Sequence, residues 1–413
     1  MPTPSFISAL KSDRCVHYLN NTLVRRAQSV DLAANVPTSV IDELGNAGHT
    51  GIVTDPAEIS FRVSALDTGL DLTKAITGKT SATTFNLPDF VSAAVDYVGV
   101  VRDNAGNFFR SVYIRGANVD GISFSYDAGG SAAEAYNLVA DNLTVFDGYV
   151  LTKTYTITAT DASVGYFRLP TQVTGQGTEE APVPTKSNSY FNSSYLLRAT
   201  RTRSGIAVNM TEGNDYTYTS GTKRITASGL TSGDVWTLVF CSAVIGTPLS
   251  PAFNTTAPAA VRGGYTPLSI GVSGKTWIPR LQSAGIGVSF KRDRIKQLGS
   301  TQVLYAPSSV PNIAGNFSVL MNDFALKKLL TYGSDTASET QFGIEQLPAY
   351  GSENNLGLEV VIKSPVNNTT VLKRITVSDI VTGASGMPST VNGTLTESYN
   401  WTGKSGTLTI SNS

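Results

Sequence analysis

The sequence predicts a mainly β protein in which one domain occurs twice, with a small β-sandwich inserted between the copies. Three observations carry this. The composition is poor in charge and rich in Gly, the apolar residues alternate with a period of two, and four short motifs recur in the same order about 255 residues apart.

The chain has 413 residues, with 31 Lys and Arg against 31 Asp and Glu, so its formal net charge is zero. At roughly 100–200 residues per domain this length fits about two to four domains, each able to bury a core unaided. Charged residues make up 15%, below the roughly 25% of an average globular protein. Ser, Thr, Asn and 38 Gly take their place. This balance excludes a protein that coats nucleic acid through bulk basic charge, a halophile's acidic surface and a charged disordered tail. It suits extended sheet with many turns and large protein–protein contacts.

Taken in order, Ile59–Ala65 (ISFRVSA) alternates and reads as a strand, and Leu70–Ile76 reads as a short helix. Val119–Tyr126 (VDGISFSY) places Ile122, Phe124 and Tyr126 on one face and Ser123 and Ser125 on the other. Asp127–Ser131 is a turn, and Ala135–Val139 resumes as the partner strand of a hairpin. Gly148–Ala159 is a long strand run, and Thr174–Asn188 (TGQGTEEAPVPTKSN) reads as a linker. Tyr195–Ser242 contains four short strands, SYLLRATR, GIAVNM, KRITA and VWTLVF, with turns at Asn214–Tyr218 and Ser220-Gly221. The apolar stretch Val235–Ile245 is about half a membrane span and reads as a strand. A second link, Gly246–Gly264, follows, and Asp323–Leu330 has helical spacing.

The repeat orders these elements. Ile41-Asp-Glu-Leu-Gly45 matches Ile295-Lys-Gln-Leu-Gly299, an offset of 254. Phe61-x-Val63 followed by Asp67-x-x-Leu70 matches Phe317-x-Val319 followed by Asp323-x-x-Leu326, an offset of 256. Gly78 and Gly333 close the two helices at 255, and Glu134-Ala-Tyr136-Asn137-Leu138 matches Glu397-Ser-Tyr399-Asn400-Trp401 at 263. The domains expected are copy one at 1–155, a linker with an inserted Ig-like sandwich at 156–265 (core about 190–245), and copy two at 266–413.

No catalytic constellation emerges, and the chain is not expected to be an enzyme. Cys15 and Cys241 are too few for a disulfide framework and read as buried free thiols. His17 and His49 are the only histidines, which leaves no His-rich metal site, and no Gly-x-Ser-x-Gly elbow accompanies either. Gly78-Lys79-Thr80, Gly274-Lys275-Thr276 and Gly403-Lys404-Ser405 imitate phosphate-loop ends. The loop needs a further Gly five positions earlier, where Thr73, Ser269 and Ser398 stand, so these read as turns. The acidic pairs Asp42-Glu43 and Glu179-Glu180 read as solvated loop carboxylates. No cofactor and no metal are expected. The first residues lack the apolar core of a secretory signal, so export by that route is not expected. Asn-x-Ser/Thr triplets such as those at Asn142 and Asn192 are expected by chance in so Asn- and Thr-rich a chain.

Charge is unevenly shared. Residues 1–140 carry 10 basic and 14 acidic residues, and residues 271–413 carry 12 and 9. At matched positions Asp42-Glu43 faces Lys296-Gln297, beside the basic run Lys291, Arg292, Arg294 and Lys296. Such a contrast can steer register where acidic and basic loops meet between subunits, so these six residues, Asp42, Glu43, Lys291, Arg292, Arg294 and Lys296, are candidates for inter-subunit or ring-stacking contacts.

Val40–Leu72, with its Leu-Gly and Thr-Asp-Pro-Ala-Glu-Ile-Ser-Phe-x-Val pattern, and Val119–Asn142 (VDGISFSYDAGGSAAEAYNLVADN) resemble the tail-tube, or major tail, proteins of long-tailed bacteriophages. Met210–Ala227 is similar to the β-sandwich modules that decorate virion proteins. The resemblance covers about half of the chain and lies in packing and turn patterns. It implies twisted β-barrel or sandwich domains, each flanked by a helix, that assemble into rings stacked as a hollow tube for DNA. Sixfold rings of the family would here become trimers with pseudo-sixfold symmetry, with the insert outside. The resemblance also implies a location in the virion after synthesis in the host cytoplasm, no membrane insertion, and tape-measure, tail-terminator and tip or baseplate proteins as partners. DNA would pass without specific binding, because cationic phosphate contacts would hold it. Asp120, Asp127 and Glu134 are the candidate lumen residues.

Three other readings stand beside this one. A baseplate, tail-tip or fibre component would form one ring or a spike. A carbohydrate-binding adhesin could use Tyr190, Tyr195, Tyr216 and Tyr218 to stack on sugars. A hydrolase would need a site the sequence does not display.

Overall fold

The computed structural model describes residues 15–41, 51–102, 108–146, 148–169, 195–242, 261–271, 276–277, 280–296, 303–307, 310–320, 325–332, 356–386, 395–403 and 407–412. It is mainly β, as expected, with few helices, and every pairing between named strands is antiparallel.

A first set of elements runs β1 (Cys15–Leu19), β2 (Thr22–Leu23), β3 (Ala27–Asn35), β4 (Thr38–Ile41), β5 (Gly51–Thr54), β6 (Glu58–Leu66), α1 (Asp71–Thr77), β7 (Thr84–Asn86), α2 (Leu87–Val91), β8 (Ala94–Arg102), β9 (Phe108–Asp127), β10 (Ala133–Ala140) and β11 (Thr144–Phe146). β6 alternates as read, with Ile59, Phe61, Val63 and Ala65 buried. On β9, Ile122, Phe124 and Tyr126 are buried, and β10 returns along it as the expected hairpin partner. α1 buries Leu72, Ala75 and Ile76 and stops at Gly78, whose φ of 69° is the left-handed conformation that a glycine adopts without steric cost. The Gly-Lys-Thr triplet at 78–80 is therefore a helix stop. α2 opens on a capping box between Asn86 and Asp89.

The insert comprises β12 (Tyr149–Thr156), α3 (Ala159–Val164), β13 (Tyr166–Arg168), β14 (Leu196–Arg203), β15 (Ile206–Met210), β16 (Tyr216–Thr219), β17 (Arg224–Ala227) and β18 (Val235–Ser242). One sheet has the order β12-β18-β14-β15 and the other β13-β17-β16. They share a core of Phe167, Leu196, Tyr216, Ile225, Trp236, Leu238 and Phe240. β12 pairs with β18 along its whole length, so the strand run that the sequence assigned to the end of copy one belongs to the insert's sheet. Alternation marks a strand but does not name its partner. A second cluster, including Val98, Tyr113, Phe146, Leu197 and Val239, seats the sandwich on the first set. There Arg198 Nη1 meets Asp96 Oδ2 at 2.6 Å.

A second set runs β19 (Leu268–Gly271), β20 (Thr276–Trp277), β21 (Leu281–Ser289), β22 (Arg292–Lys296), β23 (Val303–Pro307), β24 (Asn312–Leu320), α4 (Ala325–Tyr332), β25 (Leu356–Lys363), β26 (Val371–Gly386), β27 (Thr396–Gly403) and β28 (Leu408–Ser411). The pairing order of the first set is β3-β6-β10-β9-β8-β1, with β11 also on β9. That of the second is β21-β24-β27-β26-β25-β19, with β28 also on β26. The β4–β5 and β22–β23 hairpins occupy the same place in each order. β21 and β24 begin and end 254 positions after β3 and β6, and β27 lies 263 after β10. Even a register break recurs: Asp120 is skipped between β9 and β10, and Gly383, 263 positions on, between β26 and β27.

The geometry corrects the alignment of one motif. With β6 and β24 offset by 254, Val63 and Phe317 occupy one position, two residues from the motif match at 256. Gly315 on β24 lies directly opposite Trp401, and a Cβ there would collide with the Trp401 indole and the Gly285 carbonyl.

The two sets merge into one 17-stranded antiparallel network among the described residues, and none of its sheets closes into a barrel. A continuous core contains Phe61, Ile122, Phe124 and Tyr136 from one set and Ile286, Phe317, Tyr399 and Trp401 from the other. Among the described residues, the barrel that the resemblance allowed is thus not formed.

Candidate assembly interface

The joint between the two sets combines strand pairing, charged clasps and a buried polar cluster. Its backbone part is β21 on the C-terminal half of β9, with Ser289 opposite Gly121, Val288 opposite Ile122 and Ser283 opposite Asp127. Ala284, Ile286 and Val288 point to the shared core and are at most 4% exposed. Fully burying side chains of this kind contributes roughly 1.5–3 kcal/mol for each of the larger ones. A second seam pairs β28 with β7, Ile410 lying opposite Phe85.

The basic hairpin β22–β23 clasps the first set. Arg292 donates from Nε to the Val119 carbonyl at 2.9 Å and from Nη2 to the Val91 carbonyl at 2.8 Å. Arg294 pairs with Glu58 and donates to the Ala57 carbonyl at 3.0 Å, and Lys296 Nζ is 2.9 Å from Asp55 Oδ1. Val303 N donates to Asp141 Oδ2 at 2.8 Å, and the Tyr305 hydroxyl donates to the Ala140 carbonyl at 3.0 Å. The charge contrast seen in the sequence thus has a use inside the chain. Arg292, Arg294 and Lys296 hold the two sets together, where the sequence pointed to contacts between subunits. Lys291 adopts a positive φ of 43° at the entry to the hairpin. Asp42 and Glu43 lie outside the described residues.

Toward the other end of β6 and β10 the joint holds a buried polar cluster. Lys373, fully buried on β26, reaches Asp67 Oδ2 at 3.1 Å and Glu134 Oε2 at 2.7 Å, both on the first set. Its ammonium also lies 4.7 Å from the centre of the Phe124 ring. The Tyr126 hydroxyl donates to Asp67 Oδ2 at 3.3 Å and the Tyr136 hydroxyl to Glu134 Oε2 at 3.4 Å. Gly69 N donates to Asp67 Oδ1. Burial pushes the Glu134 carboxyl up to about 8, against the pull of Lys373. Burial opposes the Lys373 charge, but Asp67 and Glu134 together hold its pKa above the ordinary lysine value. One amine facing two carboxyls in a dry site accounts for both directions.

Glu134, proposed from sequence as a lumen residue, is therefore corrected: at 3% exposure it presents nothing to a channel. Asp120 is half-buried, close to the Arg292 amide, and Asp127 is exposed at its turn, where its Oδ1 accepts from Gly129 N. Alternation alone cannot separate a buried charged cluster from a solvated one, and the missed residues, Asp67 and Lys373, are 306 positions apart. The relation of Glu134 to Glu397 was readable in the repeat. Glu397 is also buried, accepts from the Tyr399 hydroxyl at 2.9 Å and has Lys327 Nζ at 3.7 Å.

Tyr216 and Tyr218 are core residues of the insert, with 3% and 7% exposure, and the Tyr195 ring packs against that of Tyr218, so this trio offers no sugar platform. Tyr190, His49 and Glu179-Glu180 lie outside the described residues. Burial holds the His17 pKa below its ordinary value, and its Nδ1 is 3.0 Å from the Tyr97 hydroxyl. Cys241 is buried and Cys15 half-buried, and the two are not joined in a disulfide. Among the described residues no three His, Cys, Asp or Glu side chains converge as a metal site, and no helix is long and apolar enough to cross a membrane.

No family model and no curated protein matches the chain. Among solved structures it is similar to a chain from the sixfold-symmetrised cryo-electron microscopy structure of the anti-feeding prophage (AFP) baseplate. The match covers 32% of this chain and 90% of that one, with 10% identity and a TM-score of 0.23. A likeness at that score carries no argument about this chain.

Proposed function

We propose that this chain is a structural subunit of a phage-type tail that closes with copies of itself into rings, which stack into a hollow tube for DNA. The observation that carries the reading is the head-to-tail joint. The second set presents β21, β28 and the β22–β23 hairpin, whereas the first set receives them on β9, β7 and the start of β6. A joint between unlike surfaces leaves the complementary pair of surfaces at the two ends of the chain, and repeating it produces a ring or a helix. Two repeats per chain make a trimer the counterpart of a sixfold ring.

Tape-measure, terminator and tip proteins would meet the tube inside and at its ends, and the inserted sandwich would project outward. Asp127 and neighbouring polar side chains would line a lumen that does not retain DNA. Native mass spectrometry tests the stoichiometry. Trimers or multiples of three support the reading, and monomers at every concentration contradict it.

A further inference from the structure

The internal joint is a template from which a joint between chains can be read, residue by residue. β21 has two partners, β24 on one edge and β9 on the other. Its counterpart β3 pairs with β6, the counterpart of β24, and among the described residues no strand lies along its other edge. On the receiving side, β8 and β21 share one edge of β9, β8 beside its N-terminal half and β21 beside its C-terminal half. β25 occupies the matching N-terminal stretch of β26 as far as Ile380, and beyond it the same edge of Ala384–Gly386 has no described neighbour.

The apolar pattern of β3 fits a covered strand. Val30, Leu32 and Ala34 stand opposite Val63, Phe61 and Ile59, so they share the core-facing side of β6. They hold the positions of Ala284, Ile286 and Val288, which lie 254 residues later. Leu32 is 40% exposed, whereas Ile286 is 2% exposed under β9. An open edge strand with an apolar face is a template for another chain. The buried amine has a parallel as well: Arg110 is exposed 263 positions before Lys373, and each stands opposite the matching residue of its neighbouring strand, Val101 for Arg110 and Ile362 for Lys373.

We infer that the open edge of β3 adds to the C-terminal half of β26 of a second copy of this chain, antiparallel, in the register that β21 adopts on β9. Transferring that register sets Asn35 opposite Ala384, Ala34 opposite Ser385 and Ala33 opposite Gly386 of the second copy. The inference rests on the ring reading above and adds the surface and the register.

Residues directly opposite in an antiparallel pair have Cα atoms about 4.5–5.5 Å apart, within disulfide reach. The test uses full-length chains in which Cys15→Ser and Cys241→Ala remove the native thiols. One preparation carries Ala34→Cys and another Ser385→Cys, and they are mixed and oxidised mildly. The expected result is a covalent dimer in the mixture that neither preparation gives alone, and the same from Asn35→Cys mixed with Ala384→Cys. Ala33→Cys mixed with Ser385→Cys is the out-of-register control and should give at least tenfold less dimer. Circular dichroism identifies any variant that fails to fold, and the other pair then decides. Rings in micrographs of the same samples without the dimer would overturn this pairing and leave the ring reading standing. Equal yields in and out of register would also overturn it. Monomers with neither rings nor dimer would overturn both.

Discussion

Lys373 Nζ and Glu134 Oε2 lie 2.7 Å apart with both side chains out of solvent, and they belong to different halves of the chain. Asp67 completes the cluster at 3.1 Å. Taking an amine and two carboxyls out of water is costly, and the cluster holds only while all three groups face one another. It therefore makes the joint specific: slipping one half against the other would strand buried charge.

Removing the amine should accordingly cost more than its packing area suggests. Lys373→Met leaves two carboxyls buried without a cation and is expected to destabilise the chain by about 3–5 kcal/mol. Adding Asp67→Asn and Glu134→Gln should restore much of that loss. Urea unfolding of the single and triple variants measures both, and a single variant as stable as the parent would refute the role.

The raised Glu134 pKa gives a pH dependence of definite sign. Between the ordinary value of 4.5 and about 8 the folded chain keeps a proton that the unfolded chain has released. This group's stabilisation is whole below the lower value and is lost as pH rises through the upper one. Lys373, also raised, acts in the same sense at higher pH. Unfolding midpoints across pH 5–9 should fall toward the alkaline side, and Glu134→Gln should flatten the slope.

The matched strands β3 and β21 should respond oppositely to one substitution. Leu32→Glu places charge on an open edge and should change chain stability by no more than about 0.5 kcal/mol while abolishing assembly. Ile286→Glu buries a carboxylate in the joint and should unfold or strongly destabilise the chain. Thermal unfolding with size-exclusion chromatography separates these effects, and assembly of Leu32→Glu at the parent's concentration would count against the edge.

The insert's aromatic residues should behave as core. Trp236→Ala is expected to cost about 3–5 kcal/mol in the sandwich, because Trp236 is fully buried against Phe167 and Tyr216. Limited proteolysis should then cut the insert. Retained protection would contradict that role.

Much of this fold was legible from alternation. Ile122, Phe124 and Tyr126 announced β9, and Ala135 through Val139 announced β10. Register was not legible. A period of two is satisfied at every even shift, so Phe61 aligned with Phe317 as readily as Val63 does, and the strand pairings decided between them. β16 was missed because Tyr216-Thr217-Tyr218-Thr219 is short, polar in alternate positions and preceded by Asn214-Asp215, which reads as a turn. The basic residues of β22 were visible, but a charge pattern does not say whether its complement lies on the same chain or on another. For Arg294 it is Glu58 of the same chain.

Two repeats that build rings by repeating their own joint have a direct readout in the electron microscope. The decisive experiment is negative-stain electron microscopy of the purified protein across a concentration series. Stacked hollow rings with threefold symmetry and a sixfold outline are the expected result. Discrete monomers or solitary spikes at every concentration, with a properly folded chain, would contradict it.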